Sequence, residues 1–365
     1  MRRPVAPGAS LVLKVGSSSL VSTAGHADPE AISRVVDHVV ALRDRGHPTV
    51  LVTSGAVAAG LPVLGMEKRP ADIPSLQVAA AVGQSRLMNL YSEAFSARDL
   101  QVGQVLITRD VLSRREQYLH AREALSRMLD LGVVPIVNEN DTVVVDELRF
   151  GDNDRLAAIV SHLVRAGMLI LLTDTPGLFT EDPALSGSAQ LLTAVRHADE
   201  ALEELVRRSE SGAFGSGGAA TKVAAAQMAA WSGIPTVIAA AGEPDVAVRA
   251  VVGEELGTWV APHDSRLSAR KLWIAFGLPS EGRLEVDPGA VDALIRGGRS
   301  LLAVGVIDVL GEFDAGAAVE VIGDGEMVAK GLVGLPATAI RASRGQHSSE
   351  VGGEVIHRDD LVVLA

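Results

Sequence analysis

Short apolar segments alternate with longer amphipathic ones through the first 260 residues of the chain. Residues 11–16 (LVLKVG), 49–55 (TVLVTSG) and 168–174 (MLILLTD) have the length and the β-branched or aliphatic character of buried strands. Residues 29–47, between the first two, place Ile and Val every three to four positions, which is the spacing of a helix face. This alternation predicts an α/β three-layer sandwich, with a mainly parallel central sheet covered by helices on both faces.

The pattern changes near residue 262. Residues 262–273 begin with PHDSRLSARK, a polar run without a clear period, as expected of a linker. Beyond it, short strand-like runs separated by Gly and Asp predict a small β-rich domain over residues 274–365. The sequence therefore predicts a larger domain over residues 1–261, a linker, and a second domain.

The composition excludes several classes of protein. Hydrophobic residues make up 47% of the chain and aromatic residues 3%, which predicts a packed core of Val, Leu, Ile and Ala. The absence of cysteine excludes disulfides, thiolate metal sites and a cysteine nucleophile. No apolar run approaches the roughly 20 residues of a membrane span, and no signal peptide is recognisable. We therefore expect no membrane association and a cytoplasmic location.

The formal net charge of -12 makes a nucleic-acid partner an unfavourable interpretation. Residues 274–365 contain 7 Lys and Arg against 14 Asp and Glu. Proteins that bind nucleic-acid phosphates usually present clustered positive charge, so we expect no such partner. A small anionic ligand is compatible with an acidic chain, because a few well-placed cations and backbone N–H groups are enough to hold it.

Polar residues follow four of the predicted strands, at the end where parallel sheets bind ligands. They are residues 16–19 (GSSS), 53–55 (TSG), 138–141 (NEND) and 173–174 (TD). Turns alone favour Ser, Gly, Asn and Asp. Four independent strands that all end in this way nevertheless predict an active site at this edge of the sheet.

Two lysines stand next to glycine-rich segments. Lys14 lies inside the first apolar strand, where an unpaired ammonium group is costly, so we expect it to meet an anion such as a phosphate. Lys222 ends residues 212–222 (GAFGSGGAATK) and lies in the first turn of a predicted helix. This segment is neither a dinucleotide fingerprint in its usual context nor a Walker A loop. Its glycines and the helix N-terminus can still direct N–H groups toward phosphate.

Residues 138–157 (NENDTVVVDELRFGDNDRLA) are rich in Asn, Asp and Glu. The spacing does not fit an EF-hand loop. A carboxylate pair for acid–base chemistry and a polar site for an amino acid both stay open. Asp152 and Asp154 can also orient the two lysines or a Mg²⁺ ion, or cap the following helix. The histidines show no metal-binding spacing, and the sequence does not identify the direct ligands of a Mg²⁺ ion.

Seven segments, all in register, closely resemble the amino acid kinase family, and in particular its members that phosphorylate glutamate. They are KVGSSSL from residue 14, VTSGAVAAG at 52–60, AAVGQSRL at 80–87, VNENDTV at 137–143, GDNDRLAA at 151–158, LLTDTPGLFTEDP at 171–183 and GSGGAATKVAAA at 215–226. The C-terminal region is similar to the PUA domain of many bacterial members. The resemblance implies an amino acid kinase-like sandwich followed by a PUA-like domain.

The resemblance also implies an activity, which is ATP-dependent phosphorylation of the γ-carboxylate of L-glutamate in the first step of proline biosynthesis. Mg²⁺ is implied as the ion that accompanies ATP. The implied catalytic residues are Lys14, Lys222 and Asp154. The implied ATP-binding residues are Lys14, Thr173, Asp174, Ser216, Gly217, Gly218, Ala219, Ala220, Thr221 and Lys222. The implied glutamate-binding residues are Ser54, Gly55, Asn138, Asp141 and Asn153.

By the same resemblance we expect a homo-oligomer, either a dimer or a tetramer, and feedback inhibition by proline. Two alternatives stay open from the sequence. One is a kinase of the same fold that acts on aspartate, acetylglutamate or a nucleotide. The other is an RNA-binding or RNA-modifying protein, since PUA domains occur in such proteins, although the acidic charge of residues 274–365 opposes it.

Overall fold

The structure of the chain, a computed structural model, divides into two compact units. The units are Met1–Arg266 and Leu267–Ala365, and the division falls inside the segment 262–273 that the sequence predicts as a linker. The structure describes residues 2–22, 26–112, 114–143, 153–181, 183, 186–195, 218–346 and 354–364. None of the helices in these ranges is both long and apolar enough to cross a lipid bilayer.

The first unit alternates strands and helices along the chain. Its strands are β1 (Leu11–Val15), β2 (Thr49–Val52), β3 (Val102–Ile107), β4 (Val134–Glu139), β5 (Met168–Thr173), β6 (Ala194–Val195), β7 (Thr236–Ala240) and β8 (Thr258–Val260). Its helices are α1 (Pro29–Asp44), α2 (Ala56–Gly60), α3 (Ile73–Ser96), α4 (Arg115–Asp130), α5 (Asn153–Val164), α6 (Gly218–Trp231) and α7 (Val246–Val251).

The strands form one sheet in the order β3-β4-β2-β1-β5-β7-β8-β6. Neighbouring strands are parallel, except for the antiparallel pair β7–β8. Helix α1 packs against α3 and α7, whereas α5 packs against α4 and α6, so the sheet is covered by two helical layers. The predicted three-layer sandwich with a mainly parallel sheet is therefore confirmed.

Helix α1 shows how the sequence sets this packing. The Asp28 side chain caps the helix by accepting a hydrogen bond from the Glu30 backbone N–H at 2.9 Å, and Pro29 occupies the first turn, where its missing N–H is harmless. Its buried residues are Ala31, Ile32, Val35, Val36, Val39 and Leu42. They form one stripe against the sheet, and burial of each larger side chain contributes about 1.5–3 kcal/mol.

The order of the sheet places β4, β2, β1 and β5 next to one another at its centre. Because these strands are parallel, their carboxyl ends meet at one edge. The polar residues that follow them in the sequence are therefore brought to one place, as the sequence predicts.

The second unit is a five-stranded sheet in the order β10-β9-β11-β12-β13. Its strands are β9 (Gly282–Val286), β10 (Val306–Leu310), β11 (Ala318–Gly323), β12 (Glu326–Leu332) and β13 (Leu361–Val363), and its helices are α8 (Ala269–Leu272), α9 (Pro288–Ile295) and α10 (Ala337–Ser343). The predicted β-rich unit is confirmed. Strand β9 and the helices α9 and α10 were not predicted.

Strand β9 is not predicted from the sequence because it is short and two of its five residues are charged. Its sequence is GRLEV, in which Leu284 and Val286 are buried while Arg283 and Glu285 are exposed. The strand lies between β10, to which it is antiparallel, and β11, to which it is parallel. Its position is set by pairing with strands distant in sequence, which a local pattern does not reveal.

Candidate active site

Two lysines from distant parts of the chain converge on one buried carboxylate. Lys14, on β1, places its Nζ 2.5 Å from Asp154 Oδ1. Lys222, the fifth residue of α6, places its Nζ 3.4 Å from Asp154 Oδ2. The Thr221 hydroxyl donates a hydrogen bond to the same Oδ2 at 2.8 Å. We call Lys14, Asp154, Thr221 and Lys222 the lysine–aspartate cluster.

Burial makes this cluster electrostatically strong. The side chains of Lys14 and Asp154 are 5% and 4% exposed, and that of Lys222 is 14% exposed. Burial alone would raise the pKa of the Asp154 carboxyl, but the charges of Lys14 and Lys222, with hydrogen bonds from Lys14 and Thr221, outweigh it and hold this pKa below its ordinary value. The cluster therefore carries two positive charges and one negative charge at neutral pH.

The start of helix α6 supplies further groups suited to an anion. Lys222 Nζ lies 3.1 Å from the Gly218 carbonyl oxygen, so the side chain folds back over the first turn. The backbone N–H groups of this turn have no intrahelical acceptor, and the helix dipole adds partial positive charge there. Lysine, helix terminus and glycine together are the elements that hold phosphate groups in proteins.

A second group of side chains, neutral and rich in amides, adjoins the lysine–aspartate cluster. Asn153 precedes Asp154 at the start of α5, and its Nδ2 lies 2.8 Å from Thr53 O, 2.9 Å from Ser54 Oγ and 2.9 Å from Asn138 Oδ1. Asn138 Nδ2 donates to Gln84 Oε1 at 2.8 Å. We call Ser54, Gln84, Asn138 and Asn153 the amide cluster; all four are buried.

Close helix packing fixes where Gln84 stands. A Cβ atom on Gly83 would lie 1.8 Å from Ala56 O, and one on Gly60 would lie 2.0 Å from Ala79 O, so only glycine allows α2 and α3 to approach this closely. Helix α2 begins directly after Gly55, whose φ of 98° lies in the left-handed region. Helix α3 is therefore held against the loop that follows β2.

The remaining residues predicted for the site are placed as follows. Thr173 ends β5, is buried, and donates a hydrogen bond from its hydroxyl to Asp174 Oδ1 at 3.0 Å, whereas Asp174 is exposed. Asp141 lies in the turn directly after β4. Gly218, Ala219 and Ala220 form the start of α6.

Ser216 and Gly217 lie outside the described residues, as does Asp152. Among the residues that are described, no group of three or more His, Asp or Glu side chains is arranged to hold a metal ion.

Two further residues contact the candidate site, and both lie on α3, which the sequence does not predict to take part. Gln84 belongs to the amide cluster, and the Tyr91 hydroxyl lies 2.8 Å from Thr53 Oγ1. Both stand on the buried stripe of the helix, together with Leu87 and Phe95. The signal that can identify Gln84 is a glutamine at a position of the helix where apolar residues are expected, because a buried amide needs polar partners.

Comparison with known proteins agrees with the sequence motifs. The profile of the amino acid kinase family matches residues 10–240, and the profile of the PUA domain matches residues 282–354. The glutamate 5-kinase of Marinomonas sp. is 44% identical, with 100% of each chain aligned. The glutamate 5-kinase of Moorella thermoacetica is also 44% identical, over 97% of this chain and 96% of that one.

Solved structures with the same fold include more distant kinases. The UMP kinase of Bacillus anthracis has a TM-score of 0.50 at 16% identity, covering 72% of this chain and 99% of its own. The carbamate kinase of Giardia lamblia bound to AMP-PNP has a TM-score of 0.51 at 17% identity, covering 70% and 99%. At these identities the likeness concerns the fold alone. The profile matches and the full-length relatives, however, show that the chain belongs to the amino acid kinase family, as one of its glutamate 5-kinases with a C-terminal PUA domain.

Proposed function

We propose that the protein transfers the γ-phosphoryl group of ATP to the γ-carboxylate of L-glutamate, which forms γ-glutamyl phosphate and ADP in the first step of proline biosynthesis. A carboxylate oxygen attacks the γ-phosphorus while the bond from that phosphorus to the bridging oxygen of ADP breaks. The observation that carries this proposal is the convergence of Lys14 and Lys222 on the single carboxylate of Asp154.

The nucleophile needs no general base. A glutamate side chain has a pKa of about 4.3, so roughly 1 molecule in 500 is protonated at pH 7. The main obstacle is the repulsion between this carboxylate and the phosphates, about 4 kcal/mol for two unit charges 4 Å apart at an effective dielectric constant of 20. Lys14 and Lys222 oppose this repulsion from fixed positions, which is how phosphoryl transfer is generally catalysed.

The lysines and the aspartate of the lysine–aspartate cluster have different tasks in this proposal. Lys14 and Lys222 contact the phosphates and the transferred group, while Asp154 acts as a positioning residue that holds both ammonium groups in place. The start of α6, Gly218 to Lys222, receives the nucleotide phosphates together with Ser216 and Gly217, and Thr173 and Asp174 contact the rest of the nucleotide. Mg²⁺ enters bound to ATP, since this ion usually keeps phosphate oxygens and water as its ligands.

The amide cluster and its surroundings bind glutamate in this proposal. Ser54, Gly55, Asn138, Asp141 and Asn153 form this side of the site, next to the lysine–aspartate cluster because Asn153 and Asp154 are consecutive. Amides and hydroxyls can both donate and accept, so together they suit a ligand that carries an ammonium and two carboxylates.

Three further properties belong to the same proposal. Proline inhibits the enzyme, the chain forms a dimer or a tetramer, and the enzyme works in the cytoplasm, where ATP is available. Membership of the glutamate 5-kinases supports each of these three properties. Activity measured with and without proline tests the first, and sedimentation equilibrium tests the second.

The activity is tested by trapping the product with hydroxylamine. Purified protein is incubated with L-glutamate, MgATP and hydroxylamine, and γ-glutamyl hydroxamate is measured together with ADP. We expect equal amounts of both products, and no hydroxamate when L-aspartate or acetylglutamate replaces L-glutamate. Hydroxamate from aspartate but not from glutamate would overturn the proposal.

A further inference from the structure

Gln84 is a buried polar residue whose amide nitrogen has no hydrogen-bond partner in the described part of the chain. The side chain stands on the core-facing stripe of α3, and the residue is 8% exposed. Its Oε1 accepts a hydrogen bond from Asn138 Nδ2 at 2.8 Å. A buried donor without an acceptor is unfavourable, so a group outside the described chain is expected to accept from it.

A backbone group determines which way the two amides point. The Glu139 N–H, which can only donate, lies 2.9 Å from the Asn138 side chain, so the atom it meets must be Oδ1. The Nδ2 of Asn138 is therefore the atom that faces Gln84, and the atom of Gln84 that faces Nδ2 must be Oε1. The Nε2 of Gln84 is left to donate elsewhere.

The orientation of the Asn153 amide, at the other end of the amide cluster, is determined in the same way. The Thr53 carbonyl oxygen, which can only accept, lies 2.8 Å from the Asn153 side chain, so that atom must be Nδ2. Asn153 Oδ1 is consequently turned away, and it is buried without a partner among the described residues. The cluster thus ends in a donor at Gln84 and an acceptor at Asn153.

This pair of unpartnered groups matches the α-carbon end of an amino acid, which carries a carboxylate that accepts and an ammonium that donates. We propose that Gln84 Nε2 donates a hydrogen bond to the α-carboxylate of the substrate, while Asn153 Oδ1 accepts one from its ammonium group. This inference rests on the proposed function, because it takes the γ-carboxylate to be held at the lysine–aspartate cluster.

The order of the residues assigns Gln84 to the α-carboxylate and not the γ-carboxylate. Asn153 precedes Asp154, so its end of the cluster adjoins Lys14 and Lys222. Gln84 is two side-chain hydrogen bonds farther away, through Asn138. A donor at that distance from the phosphoryl group faces the non-reacting end of the substrate, and Gln84 is therefore a specificity-determining residue.

Gln84→Glu tests this role with little change of shape. The new side chain still accepts from Asn138, but it places a second oxygen where the free N–H group stood. We expect the KM for L-glutamate to rise about ten- to hundredfold, as for the loss of a hydrogen bond to a charged group, and the KM for ATP to stay within twofold. Asn89→Asp, an amide-to-acid change at an exposed position of the same helix, is the control and should leave both constants unchanged.

L-Isoglutamine, whose α-carboxylate is replaced by a carboxamide, gives an independent readout. Wild-type enzyme should prefer L-glutamate strongly in the hydroxamate assay, and Gln84→Glu should lose or reverse that preference, because a carboxamide can donate to the new carboxylate. Gln84→Met, which removes both polar atoms, should weaken the preference without reversing it.

The outcomes separate this inference from the proposed function. Absence of hydroxamate from wild-type enzyme with L-glutamate would overturn both. Normal wild-type activity with an unchanged KM for glutamate in Gln84→Glu and Gln84→Met would overturn only the role of Gln84, as would an equal rise in both KM values with a lowered Tm. If neither variant folds, equal use of L-glutamate and L-isoglutamine by wild-type enzyme would itself overturn the role.

Discussion

The lysine–aspartate cluster and the amide cluster lie side by side but are built in opposite ways. The first contains three charges that form two ion pairs and neutralise one another in part, and the Thr221 hydroxyl donates a hydrogen bond to one of them. The second contains no charge and ends in two buried polar atoms without partners in the described part of the chain. A single peptide bond, between Asn153 and Asp154, joins them.

The difference indicates a division of work between the two clusters. Fixed charges lower the energy of a transition state in which negative charge moves between two anions. Neutral groups left unpaired discriminate between ligands, because a ligand that lacks the matching group leaves a buried donor or acceptor unsatisfied. Changes in the first cluster should therefore affect kcat or stability, depending on the residue, and changes in the second should affect the KM for glutamate.

The largest effect is expected from Lys222→Met. Removing one positive group aimed at the transferred phosphoryl should lower kcat about 10²- to 10³-fold. Stability should change little, because Asp154 keeps its closer partner Lys14. The hydroxamate assay and urea unfolding measure the two quantities. Lys68→Met, at an exposed position of the same unit, is the control, and a kcat equal to that of this control would contradict the role of Lys222.

Asp154→Asn should mainly reduce stability. Two ammonium groups lose their buried partner, which should lower the free energy of unfolding by about 3 kcal/mol at pH 7. Because the pKa of Asp154 is lowered in the folded protein, this contribution is present above the ordinary carboxyl pKa of about 3.9 and is lost as the pH falls through the folded-state value. The difference in the free energy of unfolding between wild type and Asp154→Asn should therefore become smaller at acidic pH.

Urea unfolding from pH 7 downward measures that difference. The matched control is Asp37→Asn, which breaks an ion pair with Arg98 of 2.6 Å in which the Asp37 side chain is 60% exposed. Exposed pairs contribute about 0–1 kcal/mol, so this variant should lose much less. If the difference in free energy of unfolding between wild type and Asp154→Asn does not change with pH, the charge of the Asp154 carboxylate is not what stabilises the fold.

Asn138→Asp should affect the amide cluster without touching the charged one. The new carboxylate can still accept from the Glu139 N–H, but its second oxygen faces Gln84. Gln84 is then expected to rotate its amide and present oxygen to the substrate. The KM for glutamate should rise about tenfold or more, with a smaller change in the KM for ATP. A larger rise for ATP would instead place Asn138 on the nucleotide side.

The part of the candidate site at the strand ends can be anticipated from the sequence for a physical reason. Lys14, Ser54, Asn138 and Thr173 lie in or after apolar strands, and parallel strands carry whatever follows them to one edge of the sheet. For these residues, the local sequence pattern is enough to indicate their position in the fold. The individual roles of these residues come from family resemblance, since spacing alone left acid–base chemistry and amino-acid binding both open.

The contribution of α3 could not be predicted in the same way. The sequence pattern of an Ala-rich helix does not show which strand ends the helix will cover. For α3 this depends on backbone contact with α2, a much shorter helix that precedes it in the chain. Gln84 and Tyr91 stand on the helix that this contact helps to hold in place. The same limit explains why β9 was missed, since its place is likewise fixed by partners distant in sequence.

Gly83→Ala tests how far the amide cluster depends on that contact, and it should have the smallest effect on catalysis. The added methyl group would lie 1.8 Å from Ala56 O, a backbone atom that cannot rotate away, so α3 has to shift. Overpacking of this kind costs about 1–3 kcal/mol of stability.

Because Gln84 moves with α3, the KM for glutamate should also rise a few-fold in Gly83→Ala, while the KM for ATP and kcat stay close to wild type. Gly187→Ala, where the added methyl meets nothing within 4 Å, should change none of these quantities. Loss of stability with an unchanged KM for glutamate would mean that the docking of α3 supports the fold but not the position of the amides. A rise in both KM values would mean that the two clusters are not independent, since a disturbance of one reaches the other through the Asn153–Asp154 peptide bond.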